Sequence, residues 1–140
     1  MKGVKGARDL QKKLTKLSDK NIYKQALGQS GAIVEGAAIR EVPVDTGLLR
    51  GSINTKVNVE DLTATVGTNL EYAPYVEFGT GLFAAEGGGR DTPWSYQNSK
   101  GQWITTKGQR AQPFLGPALR KNKKAVRAKF NEVVSGVLAE

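Results

Sequence analysis

Ser52-Ile53-Asn54-Thr55-Lys56-Val57-Asn58-Val59-Glu60-Asp61-Leu62-Thr63-Ala64-Thr65-Val66 is the stretch in which the apolar period changes. Ile53, Thr55, Val57 and Val59 alternate with Ser52, Asn54, Lys56 and Asn58, the two-residue repeat of a strand with one covered face. Glu60-Asp61 supplies a tight turn. Leu62, Ala64 and Val66 then alternate with threonines, which makes the second run an antiparallel partner.

Upstream of this hairpin the period is helical. Leu10, Leu14 and Leu17 define a short amphipathic helix over residues 7–17, with Lys12, Lys13 and Lys16 outside. Ser18 and Asp19 stop it and cap the next, which runs over residues 20–41 on Ile22, Ala26, Leu27, Ile33, Val34, Ala37 and Ala38 until Pro43 ends it. Gly28, Gly31 and Gly36 weaken this long helix but permit close packing on a neighbour.

Downstream, the aromatic run at residues 72–78, interrupted by Pro74, reads as a turn or short helix leading to another short strand, with Tyr72 and Phe78 in the core. Residues 79–110 hold seven glycines and both tryptophans but few aliphatics, so they form a long loop. Within it, Trp94-Ser95-Tyr96 and Trp103-Ile104-Thr105 flank Asn98-Ser99-Lys100-Gly101 as the arms of an extended β-hairpin. Residues 112–138 read as one long helix, with Pro113 in its first turn and Phe130 mid-stripe. The expected architecture is a single α+β domain over residues 1–140, an antiparallel sheet packed against the long central helix and the C-terminal helix.

The chain has neither cysteine nor histidine, which removes disulfides, thiolate chemistry, the commonest general base and the commonest transition-metal ligand. No Asp/Glu cluster has metal-binding spacing; Glu35 and Glu41 share no helix face, and Glu71 and Glu77 read as solvated charges. Gly87-Gly88-Gly89 lacks the lysine and hydroxyl residue of a phosphate loop. Asp45-Thr46-Gly47 is the tripeptide of aspartic proteases, but it follows a helix and Pro43; Asp45 and Gly47 are better explained as a structural turn. These absences point away from an enzyme, and no cofactor or metal is expected. No apolar run is long enough to span a membrane, and residues 1–13 lack the apolar stretch of a secretory signal, so synthesis in a cytoplasm is expected.

The net charge of +8 sits at the two ends. Residues 1–24 carry eight basic and two acidic side chains, a basic N-terminal helical arm over residues 1–18 included; residues 120–140 carry six and two. Lys121, Lys123, Lys124 and Arg127 are therefore candidate contacts for DNA or another acidic surface, against the simpler reading of lysine-rich solvated helix faces. Arg90, Trp94, Tyr96 and Trp103, in an aliphatic-poor loop, are candidate anchors for a partner chain.

Three stretches in order, Val42-Pro43-Val44-Asp45-Thr46-Gly47-Leu48-Leu49-Arg50-Gly51-Ser52-Ile53, Tyr72-Ala73-Pro74-Tyr75-Val76-Glu77-Phe78-Gly79-Thr80-Gly81 and Gln112-Pro113-Phe114-Leu115-Gly116-Pro117-Ala118-Leu119, resemble the small tail-component family of long-tailed bacteriophages, whose members are described as head–tail joining, neck or tail-completion proteins. The resemblance covers residues 20–138. It implies a non-enzymatic virion protein at the head–tail junction, forming a homo-oligomeric ring, six-fold by family, between connector and tail terminator or tail-tube proteins, with genome DNA passing through. The alternative is a basic DNA-binding accessory protein.

Overall fold

The computed structural model describes residues 6–43, 47–85, 87–98 and 100–139. The fold is α+β, in the order α1 (Ala7–Leu17), α2 (Lys20–Glu41), α3 (Leu48–Ser52), β1 (Asn54–Asn58), β2 (Thr63–Gly67), α4 (Ala73–Phe78), β3 (Trp94–Gln97), β4 (Trp103–Thr106), α5 (Leu115–Lys121) and α6 (Lys123–Ala139). The strands form two separate two-stranded antiparallel sheets. The sheet expected on the helices is β1–β2, and the expected extended hairpin is β3–β4, apart from it.

The helix α2 is the spine. Asp19 caps it by accepting a hydrogen bond from the Asn21 N–H at 3.0 Å, and Pro43 follows its end. The β1–β2 hairpin lies directly on its inner face. A Cβ at Gly31 would come within 2.5 Å of the Thr55 methyl group, so only glycine allows the sheet this near. The Thr55 hydroxyl also donates to Glu35, at 2.5 Å. The strands pair from Asn54 with Gly67 to Asn58 with Thr63. Their turn spans residues 59–62, with the Asn58 Oδ1 accepting from Glu60 and Asp61 N–H groups. Leu62 therefore leaves the strand pattern: it takes φ 53° in the turn and is 51% exposed. Asp45 lies outside the described residues; Gly47 adopts φ 76° immediately before α3.

The C-terminal segment departs from one continuous helix. It breaks at Asn122, whose side chain donates to the Ala118 carbonyl at 2.8 Å, and the first turn of α5 contains Pro117 instead of Pro113. From that break α6 runs back antiparallel along α2. Lys121 pairs with Glu41 near one end, Ser30 donates to the Val126 carbonyl in the middle, and Lys16 reaches the Val137 carbonyl near the other. No residue of α6 is fully buried, and Phe130, in the middle of its apolar stripe, is half-buried. In α1 likewise nothing is buried, and Leu10 and Leu14 face solvent.

The core gathers Val34, Ala37 and Ala38 of α2, then Val42, Leu49, Ile53, Ala73, Val76, Phe114 and Ala118. Phe114 is the largest side chain fully out of water. Truncation to alanine is expected to cost about 3–5 kcal/mol at Phe114 and about 1–2 kcal/mol at half-buried Phe130. Urea unfolding midpoints check this ranking; equal losses would contradict it.

Candidate assembly interface

Pro74 suits the first turn of α4, where its missing N–H is not needed. The helix turns Ala73, Val76 and Glu77 inward and leaves Tyr72, Tyr75 and Phe78 as an outward aromatic stripe. Tyr72 and Phe78 are thus corrected from core to surface. Phe78 is 54% exposed, because in so short a helix the inward side is already taken by the smaller residues.

Glu77 also differs from the solvated charge read in the sequence. It is buried, and its carboxylate accepts three backbone N–H groups: Phe114 at 2.7 Å, Leu115 at 3.0 Å and Gly116 at 2.8 Å. These are the otherwise orphaned donors at the start of α5, and a carboxylate there also complements the helix dipole. The Gln112 N–H adds a bond to the Val76 carbonyl at 2.8 Å. Together they close a stem from which residues 80–110 leave and return.

Gly79 begins that stem at φ 77°; a Cβ there would lie 2.6 Å from the Phe83 carbonyl oxygen. Thr80 and Leu82 N–H groups donate to the Gln109 and Lys107 carbonyls, and residues 81–83 form a 3-10 turn instead of the expected strand. Arg110 stacks on Phe83 at 4.7 Å, a contact with no signal in the sequence.

Beyond the stem, β3 and β4 pair from Trp94 with Thr106 to Gln97 with Trp103. The Asn98 Oδ1 organises the turn by accepting from the Lys100 and Gln102 N–H groups. The four expected anchors divide. Arg90 lies over the Trp94 ring at 5.6 Å, and Trp94 shares a face with Tyr96. Trp103 projects from the opposite face, 72% exposed.

A second feature went unread in the sequence. An open cleft of about 850 Å³ runs between α2, β2, α4, α5 and the start of α6, and half-buried Leu27, Val66, Leu70, Leu115 and Val126 line it. Phe78 and Leu119 stand exposed at its rim. The core is open on this side. Lys121, Lys123, Lys124 and Arg127 are all exposed around the α5–α6 break; Lys121 is paired with Glu41, whereas the other three have no carboxylate partner among the described residues. The chain exposes 10213 Å², whereas a compact monomer of 15.1 kDa exposes about 7,100 Å².

Residues 8–79 match the family described as "Bacteriophage HK97-gp10, putative tail-component". The chain belongs to this tail-component family. The matched span covers half of the chain, carries the first of the three motifs and the second as far as Gly79, where the stem begins; the motif opening α5 lies beyond it. Neither a curated protein nor a solved structure matches the chain. A tail component is a structural part of the virion and works among other tail proteins. No helix among the described residues is long and apolar enough to cross a membrane.

Replacing Glu77 by alanine strands three N–H groups and is expected to destabilise this tail component by about 2–3 kcal/mol, and Glu77→Gln by roughly half as much. Chemical denaturation checks it; wild-type midpoints for both variants would remove the stem from the account.

Proposed function

We propose that this tail component acts at the head–tail junction as a non-enzymatic head–tail joining or tail-completion subunit. Its copies form a ring, between connector and tail-tube or terminator proteins, through which DNA passes. The carrying observation is the surface excess: about 3,000 Å² more than a compact monomer of this size exposes. An extended surface of this kind, with Tyr75, Phe78, Leu82 and Trp103 exposed and the core open at the cleft, is what subunit contacts cover. The proposed organisation is one domain over residues 1–140, with the basic arm at 1–18 and the loop at 79–110 reaching neighbouring copies through Arg90, Trp94, Tyr96 and Trp103. Asp45 and Gly47 serve as a structural turn.

Gold-labelled antibody on intact particles tests the location. A single cluster of label between head and tail is expected; label spread along the tail would overturn the junction reading.

The alternative, a DNA-binding accessory protein, draws on the unpaired Lys123, Lys124 and Arg127. Duplex binding measured against salt separates the two. A junction subunit shows only weak, sequence-independent affinity that fades by physiological salt, whereas tight sequence-selective binding by the free chain would favour the alternative.

A further inference from the structure

We propose that the described residues from Thr80 to Arg110 form an arm with its own order–disorder equilibrium, one that opens and recloses while the helical body stays folded. This goes beyond the junction reading, because it holds wherever in the particle the arm makes its contacts.

The arm is structurally separate. None of its described residues is fully buried, and none belongs to the core around Phe114. The strands β3 and β4 have extensive contact only with each other, whereas α2 packs on β1, β2, α5 and α6. The two cation–π pairs, Arg90 with Trp94 and Arg110 with Phe83, are both internal to the arm. Among the described residues one hydrogen bond leaves the segment, from the Ala85 N–H to the Phe78 carbonyl at 2.8 Å.

Backbone contact at the base closes the arm. Residues 80–82 lie against residues 107–109, and the Gln109 N–H donates to the Thr80 hydroxyl at 2.9 Å in addition to the two main-chain bonds already described. Two glycines make this approach possible. At Gly108, with φ 123°, a Cβ would collide with the Thr80 carbonyl. At Gly81, with φ 61°, it would collide with the Lys107 carbonyl and come within 2.9 Å of the Trp94 ring. Trp94 therefore rests on the waist itself, half-buried, while Trp103 stands in water.

The balance of terms sets the arm apart from the body. Fixing its backbone is offset by polar contacts and two ring contacts and not by a buried apolar core, which puts it at the low-stability end of the molecule. A two-stranded hairpin adds only marginal stability of its own. The body keeps Phe114 and the Glu77 bonds, which lie outside the arm and stay made when it opens. Such an arm can be ordered by what it touches with no change in the body.

The sequence supplies separate reporters. Both tryptophans are in the arm, and every α-helix is outside it. In the full chain carrying Trp103→Phe, Trp94 fluorescence reads the arm and far-UV circular dichroism reads the body. On urea titration of the dilute protein, the fluorescence transition is expected to be complete before the helical signal falls. Adding Gly108→Val is expected to abolish that transition, leaving Trp94 solvent-like without urea, with the helical midpoint unchanged.

Coincident transitions in the Trp103→Phe chain would overturn the proposal, since two probes of one cooperative unit agree. So would a helical midpoint lowered by Gly108→Val, outright failure of that variant to fold, or a fluorescence transition it leaves in place. The gold label decides the junction reading separately, whichever way these transitions fall.

Discussion

Three main-chain N–H groups pointing at one buried carboxylate, Glu77, hold the two halves of the chain together. The donors at residues 114–116 lie nearly forty positions beyond their acceptor, and the whole hairpin segment is looped out between them. Closing that loop fixes the start of α5, puts Phe114 into the core and aims the following chain back along α2. Removing the carboxylate would leave a helix start buried with unsatisfied donors, the least tolerable kind of vacancy in a small core. The hairpin can project because its stem is locked.

Most of the secondary structure was legible. α1 and α2 follow from leucine and alanine spacing, Asp19 from its position before a helical run, and both hairpins from alternation around turn residues. What failed was long-range. Glu77 sits in an aromatic run with no local partner, so nothing nearby marks it as a cap. Tyr72 and Phe78 read as core because aromatics usually are, but α4 is only six residues long and its buried side is filled by Ala73, Val76 and Glu77. The α5–α6 break is invisible to apolar periodicity, which continues across Asn122. Leu62 keeps the strand alternation in sequence while its backbone has already turned. The cleft, built from α2, β2, α4, α5 and α6, left no motif to find.

These departures share a direction. Each of the misplaced large side chains, Tyr72, Phe78 and Leu62, is more exposed than the sequence pattern implies. The folded chain buries a compact nucleus around Phe114 and leaves its aromatic stripe, hairpin and cleft in water. Such a surface suits a phage tail component, a subunit whose finished state includes its neighbours.

Amide hydrogen exchange, followed by mass spectrometry on the protein at low and high concentration, tests that division most directly. Residues 114–116 are expected to be protected at both concentrations, because Glu77 holds them within one chain. Residues 64–69 and 94–106 are expected to exchange fast when dilute and to gain protection together as concentration rises. Strong protection of both segments in the dilute monomer, or fast exchange at residues 114–116, would contradict a locked stem presenting an unfinished surface.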